Sequence, residues 1–393
     1  IILSSNRANV RDGEHVFGVR FLGHYSSFQA STKIRCFFIL IIRGHRNHIC
    51  VTENGTRKCG DTIDLFQSAE TLHTLVTKMN CMNVGKGTLS KAGSLASWEE
   101  WWTYDGISGP SFWGLINPQW MLCNKGRRQS PIDIEPAKML YDPNLRPLSV
   151  DKHKVSGVLH NTGQSLVFRP ETGPKHSLAV NVSSGPLAYR YQIEEVFLHY
   201  GTDNSHGSEH RIQGSAFPAE IQFYGYNAEL YANASEARHK SQGLVAIAVM
   251  VQIGETPNSE LRSLSSLFGQ VIYRGQSAEL RHVSLHALLP ETDHYMTYEG
   301  STTHPGCWET TSWIIYNKPI YITRQELYAL RRLVQGDSET PKGALGNNVR
   351  ALQPLHHRTV RTNIDFTNSM ERGCVTMKSD LSYKANSWNI ATT

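Results

Sequence analysis

Short apolar and alternating runs punctuated by turn residues dominate the middle of the chain. Ser165 to Phe168, Leu178 to Val182, Ile193 to Leu198, Glu220 to Tyr226, Leu244 to Ile253 and Ser312 to Tyr316 are the clearest. Each has the length and β-branched or aromatic content of a strand, and their density predicts a mainly β domain built on a large sheet. One helix is expected over Arg324 to Leu333. Thr323 can cap it, Glu326 completes a capping box, and Leu327, Leu330 and Leu333 share one face. Residues 1 to 95 mix polar and apolar positions without a sustained period and are left unassigned. From Trp98 to Trp120 large rings alternate with Gly and Pro, as in an irregular segment laid over a core. The domain of interest is read as residues 96–366, followed by a polar tail at 367–393.

Composition narrows the class. The chain has 393 residues, 39% of them hydrophobic, enough to bury a sizeable core. A formal net charge of +5 with no long Lys/Arg block argues against nucleic acid as the partner. Cys36 to Ile42, flanked by basic residues, has the character of a short signal core but is too short to span a bilayer, so no membrane insertion is expected. Seven cysteines leave one over if the rest pair. Sequons stand at Asn54, Asn181 and Asn233.

Candidate chemistry concentrates in Glu194-Glu195-Val196-Phe197-Leu198-His199-Tyr200, Gly207-Ser208-Glu209-His210 and Ala219-Glu220-Ile221-Gln222. Alternate residues on a strand share a face, so Phe197 and His199 would look into one cavity with Gln222 of a neighbouring strand. With Gly114-Leu115, Arg128 to Ile134, Asn161-Thr162-Gly163, Trp313-Ile314-Ile315 and Gln353-Pro354-Leu355 beside Arg358, these strings resemble the α-class carbonic anhydrases. Within them the chain is most similar to the secreted, acatalytic carbonic anhydrase-related proteins (types X and XI). The resemblance covers residues from about 101 to 366 and implies a twisted, mostly antiparallel central sheet with peripheral helices.

In the active members of that family three histidines hold Zn²⁺, which brings a bound water to a pKa near 7. Position by position, the resemblance places those ligands on Phe197, His199 and Gln222. Phe offers no lone pair and a Gln amide is a poor zinc ligand. The expectation is therefore that no metal or other cofactor is held. The resemblance also assigns the gatekeeping hydroxyl to Thr303, its carboxylate acceptor to Glu209, the proton-shuttle position to Gln164, and outer-shell carboxylates to Glu195 and Glu220. His304 borders the pocket. Thr303 with Glu209, and Glu220 with Gln222, are expected to survive as buried polar pairs.

The resemblance further implies a Cys123–Cys307 disulfide, secretion, and a role as a binding module for a cell-surface receptor of the neurexin kind. Asn181 and Asn233 become glycosylation candidates in that setting. Cys374, in the polar tail, is a candidate for an intermolecular bridge, for pairing with an amino-terminal cysteine, or for a lone thiol. The alternative is a zinc-dependent carbonic anhydrase hydrating CO₂ through a non-standard site that recruits two of His199, His206, His210 and His304 with Glu209.

Overall fold

The computed structural model describes residues 102–171 and 179–365, together with the backbone of five strands nearer the amino terminus. The chain divides into two compact units, Ile1–Leu95 and Ala96–Thr393. The first contains an antiparallel sheet of β1 (Ser4–Arg7), β2 (His15–His24), β3 (Arg35–His45), β4 (His48–Glu53) and β5 (Thr56–Asp61), paired in sequence order. The apolar run at Cys36 to Ile42 thus lies within β3. Cys374 lies outside the described residues.

The second unit is organised by a 13-stranded mixed sheet. Its principal strands are β6 (Leu140–Tyr141), β7 (Val155–Asn161), β8 (Leu166–Pro170), β9 (Tyr191–Tyr200), β10 (Ala219–Asn227), β11 (Leu244–Ile253), β12 (Ser277–Val283), β13 (Tyr295–Gly300), β14 (Thr311–Tyr316) and β15 (Arg361–Thr362). They run across the sheet in the order β12-β7-β8-β9-β10-β11-β14-β13-β15-β6. Most neighbours are antiparallel, while β11 with β14 and β15 with β6 are parallel. Helices are short and peripheral, so the α-carbonic anhydrase architecture implied by the resemblance is the one observed.

Each apolar run becomes a strand within a few residues of its expected bounds, for a reason visible in burial. In β11 every residue from Leu244 to Gln252 is buried. Val245, Ile247, Val249 and Val251 pack into the larger core on one face, while Ala246, Ala248 and Met250 pack on the other. A strand covered on both sides needs a continuous apolar sequence rather than an alternating one. The small Ala246 and Ala248 side chains leave room above the second face. The helix forms at Arg324–Arg331 with the full capping box, Thr323 Oγ1 accepting from Glu326 N and the Glu326 carboxylate accepting from Thr323 N.

Cys123 and Cys307 form a disulfide 184 residues apart in sequence. The bridge is sealed among Trp113, Trp120 and the neighbouring Trp102 and Tyr104. Closing a loop this long restrains the unfolded chain by about 5 kcal/mol in the loop-entropy estimate, the disputed upper end for a single bridge. It also ties the aromatic amino-terminal segment of the unit to the loop that carries Thr303 and His304.

Candidate functional site

The second sheet face carries the candidate site, and strand register determines which residues meet. Phe197 of β9 stands directly opposite Gln222 of β10, and His199 stands opposite Glu220. Tyr224, two residues beyond Gln222, joins the same face and packs edge-on to Phe197 at 5.5 Å between ring centres. Residues two apart on neighbouring strands are thereby forced into one cluster by the pleat.

Gln222 is the hub. Its Nε2 donates to Glu209 Oε2 and to Glu220 Oε1, each at 2.8 Å. Its Oε1 accepts from the Tyr224 phenol at 3.0 Å and from Thr303 Oγ1 at 3.2 Å. A primary amide has two donor hydrogens and two acceptor lone pairs, so every hydrogen-bonding position of this buried side chain is used. The partners also decide the amide's orientation, because carboxylates can only accept from it. Burial, reinforced by Glu209, pushes the Tyr224 pKa well above the phenol range, which keeps its hydroxyl a donor.

The carboxylates around the hub have further partners. Glu209 Oε1 accepts from Arg350 N at 2.8 Å. Thr303 does not reach Glu209 directly: its hydroxyl goes to Gln222 and lies 3.2 Å from the Tyr224 hydroxyl. The expected Thr–Glu pair is therefore bridged through the glutamine amide, whereas Glu220 and Gln222 do meet. Glu220 also accepts from the backbone and ring of His210, at 2.8 Å in each case. Burial alone would raise the Glu220 pKa, but the His210 interactions and His199 together hold it below the ordinary carboxylate value. The Arg350 guanidinium, 3% exposed, is bonded to Ser130 O, Cys123 O and Gln129 Oε1. Its burial brings its pKa down to about 10 against the opposing pull of Glu209.

His199 is held separately. Its Nδ1 donates to Asn348 O at 2.6 Å and lies 3.7 Å from Glu209 Oε1. A carbonyl partner places the proton on Nδ1, leaving Nε2 with its lone pair in the neutral ring. That Nε2 is buried without a hydrogen-bond partner. Phe197 stacks against His199 at 6.4 Å and against His304 at 5.3 Å, with interplanar angles of 20° and 11°. His304 is further flanked edge-on by Tyr224 and Trp308. Desolvation, with Arg238, His199 and Arg350 adding to it, drives the His304 pKa down to about 3.

The remaining sequence-derived residues occupy distinct places. Gln164 is half-buried in the turn after β7, with its backbone N donating to Thr162 Oγ1. Glu195 turns to Arg169, whose Nε donates to its carboxylate at 2.8 Å. His206 is an exposed loop residue beside Asp203. His210 spends both ring nitrogens, on Glu220 and on the Tyr298 hydroxyl 2.8 Å away. His206 and His210 are thus engaged elsewhere, while His199 and His304 flank Phe197, and among the described residues no group of three His, Cys, Asp or Glu side chains could hold a metal. Tyr224, Asn348 and Arg350 were not singled out from sequence. Tyr224 was accessible by the period of two from Gln222, whereas Asn348 and Arg350 reach the site from a loop distant in sequence.

Comparison with known proteins agrees with this architecture. The eukaryotic-type carbonic anhydrase family matches residues 108–364. The chain belongs to this family. It is 40% identical over 266 residues to a Caenorhabditis elegans protein named "Putative carbonic anhydrase-like protein 2", a match covering 67% of this chain and 79% of that protein. At the three ligand positions His199 Nε2 is an unused nitrogen, Phe197 has no donor atom, and the Gln222 amide is saturated by four protein partners. The donor set does not fit a three-histidine zinc centre.

The half-buried, desolvated ring of His304 makes a pH prediction. Its folded pKa of about 3 lies below the unfolded value of about 6.5. Between these values the unfolded chain binds the extra proton, so stability is complete above pH 6.5 and is withdrawn as pH falls through the window. His304→Phe, which preserves a ring against Phe197, is expected to flatten the fall in Tm between pH 6.5 and 4, measured by thermal unfolding across pH.

Proposed function

We propose that the protein is a catalytically inactive carbonic anhydrase-related protein, secreted, that serves as a binding module for a cell-surface receptor. The observation that carries the first part is the saturated Gln222 amide. An imidazole that binds zinc must present a free lone pair toward the metal. Here the corresponding side chain gives all its polar capacity to Glu209, Glu220, Tyr224 and Thr303, and the opposite position is an aromatic hydrocarbon. Without a metal to acidify it, a water beside His199 would keep its ordinary high pKa and supply no hydroxide at neutral pH. Gln164, at the shuttle position, cannot titrate, so rapid proton export has no carrier there either.

Secretion is supported by the Cys123–Cys307 disulfide, since such bridges persist in oxidising compartments. Among the described residues no helix is long and apolar enough to cross a membrane. The receptor assignment, a neurexin-like adhesion protein, rests on the resemblance to the secreted acatalytic relatives. A rigid sheet stapled by a disulfide suits that role, because binding then spends little free energy on ordering the module.

Metal analysis of the purified protein is expected to find zinc well below one equivalent, with CO₂ hydration at the uncatalysed rate. Stoichiometric zinc with hydration above background would overturn the inactive reading. The paired change Phe197→His with Gln222→His is expected to restore zinc binding and measurable hydration. The receptor reading is checked by immobilising a neurexin ectodomain beside an unrelated adhesion ectodomain. Selective capture of the purified protein is expected, and equal or absent capture would reject that partner.

The two described sequons differ in availability. Asn181 Nδ2 donates to Asp151 Oδ2 at 2.9 Å and to Ala179 O at 3.1 Å, within a half-buried strand. Asn233 is exposed at a helix start and uses only its Oδ1, which accepts from Glu236 N. Expression through a secretory pathway should therefore place a glycan at Asn233. Asn233→Gln should reduce an endoglycosidase-sensitive mobility shift by one glycan, whereas Asn181→Gln should leave the shift unchanged.

A further inference from the structure

Two segments far apart in sequence are joined on one face of the second unit and leave its cations unneutralised. The first is the loop after the short helix Leu122–Lys125, which exposes Lys125, Arg127 and Arg128. Among the described residues none of these three forms an ion pair with a carboxylate. The second segment, residues 353–358, is bonded onto the first. Gln353 N donates to Pro131 O and Arg358 Nη2 donates to Gln129 O, both at 2.7 Å. It carries His356 and His357, both exposed.

Arg358 acts as the rivet. Its donors go to the carbonyls of Leu355, Glu299, Gln129 and Pro354, and its guanidinium lies over the Tyr298 ring at 5.4 Å. Carbonyl oxygens satisfy its N–H groups without cancelling its charge. Partial burial lowers its pKa, and the nearby Arg128 adds to the effect. Glu309 is the carboxylate beside the two arginines, and its Oε1 is occupied by Arg128 N and Gln129 Nε2. The Glu299 carboxylate accepts from Ser312 Oγ. Arg128 and Arg358 thus stand beside a single carboxylate, and Lys125 and Arg127 are exposed on the same stretch of chain, an excess of positive charge that favours an anionic partner.

We propose that this face binds a sulfated polysaccharide of the cell surface or extracellular matrix. The choice of anion rests on the extracellular reading given above. The lipid surface facing the cytoplasm is the strongly anionic one, whereas outside the cell the abundant polyanion is sulfated sugar. Arg127 and Arg128 offer planar forks that can hold sulfate oxygens in pairs, as guanidinium holds phosphate. Repeated sulfates along a linear chain can engage Lys125, Arg127 and Arg128 at once while releasing the polymer's counterions. Affinity should then fall steeply with salt, by the same physics that governs other linear polyanions.

The probe is heparin, as an immobilised column and as a defined oligosaccharide. Arg127→Ser with Arg128→Ser is compared with Lys152→Ser with Lys154→Ser, a charge-matched pair of exposed residues just before β7, near the opposite edge of the sheet. The native protein and the lysine variant should elute together, and the arginine variant at clearly lower salt, with at least tenfold weaker oligosaccharide binding. Equal losses in both variants would reduce the effect to net charge and overturn the site. Equal binding of desulfated heparin, or preference for vesicles of anionic phospholipid, would overturn the sulfated ligand. Should the serine variant unfold, judged by its Tm, Arg127→Gln with Arg128→Gln carries the same test. Heparin binding is independent of zinc content and of receptor capture, so failure here leaves the inactive-module reading standing, and failure there leaves this one.

Discussion

The site depends on how one amide is shared between two buried carboxylates. Glu209 and Glu220 are both withdrawn from water, and Gln222 Nε2 is the donor they have in common. A buried charge left without donors costs several kcal/mol, far more than the net worth of an ordinary hydrogen bond. The amide solves this with two bonds of 2.8 Å and turns its carbonyl to the hydroxyls of Tyr224 and Thr303. His210 and the backbone of Arg350 supply the remaining donors. The polar network is complete around the glutamine, and that completeness lets it sit in a low-dielectric interior.

Around this network the sheet supplies geometry and the aromatic side chains supply filling. Ala246 and Ala248 on the adjacent strand are small enough to leave the space above them to Gln222 and Tyr224, while Phe197 and His304 stack into it. The aromatic segment held by the Cys123–Cys307 bridge brings Tyr104 edge-on to His199. The same segment places Trp113 against the Arg350 guanidinium at 5.7 Å. Charged, polar and apolar layers therefore succeed one another over a few ångströms, and each is fixed by a different part of the chain.

The strands were legible because their burial writes itself into the sequence, as a continuous apolar run in β11 and as flanking turn residues elsewhere. The helix was legible because its cap is local, complete within Thr323 to Glu326. The juxtaposition of Phe197, His199 and Gln222 also followed from the period of two, together with the family resemblance. What sequence did not disclose was the wiring. Thr303 meeting Gln222 rather than Glu209, and His199 bonding Asn348, depend on register and on loops 80 to 150 residues away. The sheet in residues 1–95 was not anticipated either, since its strands lack a sustained alternation.

The direct pairing of Phe197 with Gln222 across β9 and β10 has an evolutionary consequence. A histidine arriving at 222 alone would break the amide network without completing a ligand set, and one arriving at 197 alone would face a saturated neighbour. Each single step toward a three-imidazole cluster thus costs folding stability before any metal can repay it. Sign epistasis of this kind makes the two positions change together or not at all. Packing alone, through the shared amide, therefore couples the chemistry of one strand to that of its neighbour.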